Sequence, residues 1–219
     1  MSVAPDATLD EIRIALAPAI ADAAVFDGWT GAALDSAAEL EDVDPAVARL
    51  AFEGGAMAMI GAWIESIDAE MAAALPAEEL AKRKIRERIR DLVRFRLDAL
   101  EGREEALRRA LAIMAMPQNV PAALKHGWHS ADLMWRLAGD TATDYNHYSK
   151  RTILGSIYAA TLAVFAEDKS EGHAEAHAFL DRRIEGVMKF EKAKAQFLKP
   201  RDENFSMMRL LGRLRYPAS

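Results

Sequence analysis

The chain of 219 residues contains no cysteine. Disulfides and thiolate chemistry are excluded, and zinc would need histidine and carboxylates alone. No run of about 18 apolar residues occurs, so no segment is expected to span a bilayer. The first residues, MSVAPDATLDEIR, lack a basic start and an apolar core segment. Neither a signal peptide nor, given the acids, a transit peptide is expected there. Together these absences predict a cytoplasmic protein, free to touch the inner membrane from one side. Positive charge is also in short supply: 28 Lys and Arg stand against 34 Asp and Glu, a formal net charge of −6. That balance disfavours a general nucleic-acid binder. Missing too are alternating β-branched runs, a GxGxxG or Walker loop and a repeat of fixed period. No Ser-His-Asp or paired-carboxylate pattern stands out, so no enzymatic activity is expected.

What remains is apolar and helical. Hydrophobic residues make up 51% of the chain, enough to exclude a disordered protein and to bury a core. Thr8-Leu9-Asp10-Glu11 is a capping-box pattern, followed at helical spacing by Ile12, Leu16 and Ile20. Asp44-Pro45 is a start signal, Asp at N-cap and Pro at N1. Gly28, Gly102 and Gly139 are natural stops, and Pro76, Pro117 and Pro121 punctuate the middle. Ile85, Ile89, Leu92, Val93 and Leu100 mark one stripe. Leu124, Trp128, Ala131, Trp135 and Ala138 mark another. Thr141 and Asp144 can cap a helix to about Glu167, and Ser170 one to about Phe197. The economical reading is an all-α fold of about ten helices in one compact domain, with a looser tail after Pro200.

The first three helices, long, short and short, have the proportions of a helix-turn-helix. From Asp27 to Glu53 the acids are Asp27, Asp35, Glu39, Glu41, Asp42, Asp44 and Glu53, and the base is Arg49. One minus seven leaves −6, a surface that repels phosphates. The arginine-rich stretch from Lys82 to Arg96 reads as a solvated face, or as a partner for acids of the front helices.

TDYNHYSKR (143–151) crowds two tyrosines, a histidine and two cations together. In a helix Tyr145 and Tyr148 face one way, beside Lys150 and Arg151. Rings flanked by cations suit a partner or headgroup surface, or else pack on the preceding helix with the cations solvated. Trp135 is open to both core and partner readings. Gly155, Ser156, Ala159, Ala160 and Ala163 permit close helix approach, within one subunit or between two. Met57, Trp63, Met114, Leu133, Leu137 and Ile157, with Met59, Ile60, Ile64, Leu92, Leu111 and Leu162, are candidates to line a lipid cavity or to fill an ordinary core. His126, His129 and Asp132 share a helical edge but are too few for a closed metal site, so no metal is expected. His173 and His177 sit four apart on an expected exposed face. In the tail, Met207, Leu210, Leu211 and Leu214 share a face, with Arg209 and Arg213 elsewhere. That pattern suits membrane-surface binding or docking on the body.

MPQNVPAAL (116–124), DLMWRLAGDTATDYNHYSKRTIL (132–154) and AFLDRRIEGVMKF (178–190) resemble one family. It is the lipid-binding accessory protein of ubiquinone biosynthesis, the ninth protein of the coenzyme Q series. The resemblance is closest over Met116–Phe190 and weaker before it, where DGWT (27–30) agrees. It implies a TetR-regulator-like fold, with a helix-turn-helix-like front (1–54), whose acidic charge argues that DNA binding is lost, a helical lipid-binding and dimerising body (55–198) and a basic amphipathic segment (199–219). It further implies no catalysis and no cofactor beyond a bound isoprenoid lipid or quinone. The expected partner is a di-iron demethoxyubiquinone hydroxylase, and a homodimer on a membrane surface is expected. The partner patch implied comprises Asp132, Met134, Trp135, Arg136, Tyr145, Asn146, Tyr148, Lys150 and Arg151. Where the family usually carries Trp, this chain has His147, which bears on any contact that needs an indole there. A ligand-responsive TetR-type transcription regulator is the alternative function.

Overall fold

A computed structural model describes residues 7–198, with side chains to Phe190. Among the described residues there are ten α-helices, one 3-10 turn and no strand. In order they are α1 (Leu9–Asp27), α2 (Gly31–Leu40), α3 (Pro45–Ala51), α4 (Ala56–Ala74), α5 (Ala77–Leu80), α6 (Ile85–Asp98), α7 (Glu104–Met114), α8 (Val120–Leu137), α9 (Tyr145–Glu167) and α10 (Ala174–Leu198). The all-α expectation is met. The chain to Arg182 forms one compact unit, and Arg183 onward a second. In the second unit α10 continues, with Lys189 and Glu185 paired across one turn at 3.6 Å.

Local chemistry sets the helix ends. The Thr8 hydroxyl accepts from the Glu11 amide, and the Glu11 carboxylate accepts from the Thr8 amide, the reciprocal capping box its sequence spells. Asp44 accepts from the Ala46 amide at 2.7 Å, with Pro45 at the first helical position. Gly139 ends α8 at φ 86° with Arg88 donating to the Ala138 carbonyl beside it at 2.7 Å. An L side chain is strained at that angle, and its Cβ would lie 3.1 Å from Arg88.

The front packs through small residues. Ala17, Ala21 and Ala24 of α1 are fully buried, as are Ala33 and Ala38 of α2 and Ala48 of α3. Small side chains let α2 and α3 lie close against α1. Trp29, in the turn before α2, donates to the Ala106 carbonyl of α7 at 2.9 Å and ties the front to the body.

Several expectations need correction. Ile85 is exposed, because α6 begins there and its core face starts at Ile89. The arginine-rich stretch divides: Lys82, Arg83, Lys84 and Arg86 are exposed, as expected of a solvated face, whereas Arg90, Arg94 and Arg96 of α6 are drawn into ion pairs with α4 and α10. Arg90 and Arg94 pair with Asp181 of α10, and Arg83 with Asp91. Arg96 is 1% exposed and pairs with buried Asp68 of α4. His173 is not on an exposed helix face. It lies in the 3-10 turn Glu171–His173, stacked 3.9 Å from the Phe165 ring and 3.1 Å from Glu104. Asp168 accepts from Ser170 and Ala176 and so caps the entry to α10, while the Ser170 hydroxyl accepts from Glu175.

No single described helix is long and apolar enough to cross a membrane. The bent pair α3–α4 (85°) meets the length and composition test, but α4 buries Met59, Ile60, Trp63, Ile67 and Met71 in the protein.

Candidate lipid cavity and the α8–α9 surface

The buried faces of α4, α6, α7, α8 and α9 do not close on one another. They leave a cavity of about 630 Å³ inside the first unit, a size typical of sites for small organic ligands. Ile60, Trp63, Ile64 and Ile67 of α4 form one wall, and Leu107, Leu111 and Met114 of α7 another. Gly155, Ser156 and Ala159 of α9 keep the space open, since none fills it with a large side chain. Leu124, Trp128, Thr152 and Ala159 line the cavity and are exposed, so its mouth lies between α8 and α9. The stripe on α8 therefore serves two ends: Leu124 and Trp128 at the mouth, Ala131 and Ala138 in the core.

Of the candidate lipid residues, Trp63 and Met114 line the cavity. Met57, Leu133, Leu137 and Ile157 do not. On α9 the lining residues Thr152, Gly155, Ser156, Ala159 and Leu162 share a face from which Ile157 is turned away. Leu133 and Leu137 share the α8 stripe of His126 and Ser130, but they lie beyond Ser130, the last lining residue of that helix. Ile60, Ile64, Leu111 and Leu162 line it, whereas Met59 and Leu92 are buried elsewhere in the core.

The cavity also has a polar base that hydropathy alone did not single out. Arg96 lies with its guanidinium carbon 4.9 Å from the Tyr158 ring centroid, and both side chains line the cavity. Asp68 pairs with Arg96 and accepts from the Ser130 hydroxyl at 2.9 Å. The signal was present: Arg96 continues the apolar spacing 89, 92, 93, 96, 97, 100 of α6, and Asp68 interrupts the most apolar helix. His126 lines the wall, and a Cβ on Gly61 would meet its ring at 2.8 Å. Burial pushes the His126 pKa below the ordinary histidine value, which favours the neutral ring.

At the α8–α9 surface an ion-pair cluster closes the joint. Arg151 donates to Asp132 at 2.6 Å and to Asp140 at 3.0 Å. Lys150 reaches Asp140 at 2.6 Å, and Arg136 reaches Asp132 at 3.0 Å. Burial raises the Asp140 pKa, but hydrogen bonds from Lys150 and Arg151 outweigh it, and the net shift is downward. Trp135 donates to the Lys150 carbonyl at 3.0 Å, with the Lys150 ammonium 5.4 Å from its ring centroid.

The partner-patch residues divide accordingly. Tyr145 is 81% exposed and Tyr148 61%, with Asn146 and Arg136 also on the surface. Asp132, Trp135 and Lys150 are half-buried. Met134 and Arg151 are inside and drop out of any contact surface: Met134 faces the core beside Ala131, and Arg151 is drawn inward by two carboxylates. His147 sits 6.3 Å from Trp128 and 5.1 Å from Tyr148 and donates to the Ala142 carbonyl at 3.0 Å. Tyr148 and Trp128 lie 6.0 Å apart, so the tyrosine borders the cavity mouth. Ala160 and Ala163 are exposed. No cluster of three metal-ligating side chains occurs among the described residues. Met207, Arg209, Leu210, Leu211, Arg213 and Leu214 lie outside the described residues.

The COQ9 family model matches residues 120–191, which hold the cavity mouth and the exposed tyrosines. The mitochondrial ubiquinone biosynthesis protein COQ9 of Rattus norvegicus is 33% identical over 168 residues, 74% of this chain and 54% of that one. The Homo sapiens protein of the same name is 30% identical, over 74% and 52%. That of Drosophila melanogaster is 27% identical over 88% and 60%. The chain thus spans about half the length of the curated relatives it matches. A crystal structure of a TetR transcriptional regulator from Nitrosomonas europaea superposes with a TM-score of 0.64 at 20% identity, covering 81% of this chain and 98% of that one. At that identity the likeness speaks for the fold alone, which is TetR-like. By sequence, residues 120–191 match the COQ9 family model and the chain is a homologue of the COQ9 proteins.

Proposed function

We propose that this protein is a non-catalytic lipid-binding protein of ubiquinone biosynthesis. It takes an isoprenoid quinone intermediate from the inner membrane and presents it to a di-iron demethoxyubiquinone hydroxylase. The observation that carries the reading is the apolar cavity of about 630 Å³, whose mouth lies between α8 and α9 beside exposed Tyr148. Burial of a prenyl tail there stabilises the complex by about 0.8 kcal/mol per CH₂. The tyrosines at the mouth form the surface that meets the hydroxylase. Exposed Ala160 and Ala163 of α9 suit close approach by a second copy, and residues 204–219 attach the protein to the cytoplasmic face of the membrane. Native mass spectrometry of protein purified gently from its host, followed by lipid extraction, tests the reading. A co-purifying prenyl quinone or related lipid is expected. Empty protein would overturn it.

The second reading, a ligand-responsive regulator, draws on the TetR-type neighbour. Against it stand the acids of the front, where Arg49 is held by Asp35 at 2.8 Å. A gel shift at low salt separates the two: a shifted band would favour the regulator.

A further inference from the structure

The apolar lining of the cavity does not stop inside the protein. Val120, Leu124 and Trp128 each line it and are each exposed, Leu124 by 69%. They stand one turn apart on α8, so the cavity wall continues outward as an apolar edge. Met116 extends that edge: it is exposed, and its carbonyl accepts from the Val120 amide at 3.2 Å. Tyr148 of α9 closes the other end, its ring 6.0 Å from Trp128. Large apolar side chains left in water along a continuous edge mark an interaction surface.

Charge narrows what that surface meets. The chain holds 34 acids, yet none falls in residues 106–131 or 145–166, the two stretches that carry the mouth. Exposed Lys125 follows Leu124, and Asp132, the next acid on α8, is held by Arg136 and Arg151. Glu65 of α4, the acid that acts on His126, is half-buried. Phe26, Leu40 and Leu50 of the front are exposed too, but they lie among or beside the acids of residues 27–53. An anionic bilayer repels the front and admits the mouth. Apolar side chains rimmed by a tryptophan, a tyrosine and a lysine have the composition of an interfacial face. The cargo favours a bilayer over a protein here: a prenyl lipid that crosses water exposes its tail, at a cost that grows with every CH₂.

Resting on the carrier reading above, we propose that the edge formed by Met116, Val120, Leu124 and Trp128 is itself inserted in the membrane interface, so that the cavity opens directly into lipid. Residues 204–219 supply the attachment, and the edge sets which face of the body turns to the leaflet. Cargo then passes sideways past Leu124 without crossing water. Tyr145 and Asn146, at the start of α9, are left for a protein partner.

The chain has no cysteine, so an introduced one carries a label at a chosen site. Full-length Met116→Cys and Leu124→Cys are each labelled with nitrobenzoxadiazole, with Ser36→Cys on the exposed side of α2 as control. Each is mixed with vesicles of phosphatidylglycerol and phosphatidylcholine. The labels at positions 116 and 124 should shift to the blue and brighten, and the label at 36 should not. Position 116 lies outside the cavity wall, so its response does not come from cargo. A response at 124 alone would report lipid inside the cavity and would overturn the proposal. So would silence at both positions, an equal response at all three, or a shift that follows a second copy of the chain or the hydroxylase and not the vesicles.

Met116→Asp with Lys125→Glu, both outside the cavity wall, gives a second measurement. Uptake of a short prenyl benzoquinone from the vesicles should fall about tenfold, and loading from detergent micelles should stay within about twofold. Undiminished uptake from vesicles would overturn the edge and leave the carrier reading standing. If the unaltered chain loads the quinone from neither source, the carrier reading itself fails.

Discussion

The indole rings of Trp29 and Trp63 lie 5.2 Å apart, tilted by 40°. One belongs to the α1–α2 turn within the helix-turn-helix-like front, and the other to the wall of the cavity. The front is therefore structural support for the cavity. Trp29→Ala removes that ring and the bond to the Ala106 carbonyl. A loss of about 3–5 kcal/mol in urea unfolding is expected. A loss below about 1 kcal/mol would show that the front docks by other contacts.

Asp140 predicts a pH dependence. Its folded-state pKa is depressed, so unfolding raises its proton affinity. The stability it contributes is present above the unfolded carboxylate pKa of about 3.9 and is lost as pH falls through the folded value. Asp140→Asn should cost about 3–5 kcal/mol at pH 7, because it withdraws a charge from buried Arg151. The gap between variant and wild type should shrink steadily below about pH 4. A gap that stays constant to pH 2 would deny the carboxylate that role.

Gly155 is a position where filling the cavity need not harm the fold. A Cβ there meets only the Ala131 methyl, at 4.0 Å. Gly155→Leu should lower bound prenyl lipid by more than about tenfold, while helix propensity holds or raises the melting temperature. Gly61→Ala makes the contrast. Its Cβ would press on His126, so a stability loss of about 1–3 kcal/mol is expected.

Tyr145 and Tyr148 are exposed and Met134 is not. Tyr145→Ala with Tyr148→Ala should leave the helical circular dichroism and melting temperature unchanged and weaken capture of the hydroxylase. Met134→Ala should cost about 2–5 kcal/mol, as a core truncation does. Undiminished capture by the tyrosine variant would move the partner surface elsewhere.

Removal of residues 204–219 should abolish sedimentation with anionic vesicles. Sedimentation equal to that of the intact chain would remove the tail from membrane binding.

Where local chemistry decides, the sequence was readable. The Thr8 and Asp44 caps and the stops at Gly28 and Gly139 appear where the residues place them, whereas α6 ends at Asp98, before Gly102. The spacing 124, 128, 131 and 135 put Leu124 and Trp128 on one side of α8. Spacing could not say that this side changes from exposed mouth to buried core along its length, because periodicity reports which residues share a face and not what covers it. For the same reason Ile157 and Leu137 were as eligible for the cavity as Trp63. His173 was misplaced because the left-handed Gly172 turns the chain before α10 begins, and the helical count does not run through that turn.

The sequence by itself determined that the chain is all-α, that its front is acidic and that it carries the residues of the COQ9 family, for these follow from residue type and local spacing. Only the tertiary structure decided which apolar side chains face empty space, that Met134 and Arg151 are inside while Tyr145 and Tyr148 are outside, and that Arg96 lies under the cavity with Asp68. Those outcomes depend on how helices distant in sequence meet. A buried arginine is tolerable only when its carboxylate arrives from another helix, here 28 positions away in the chain.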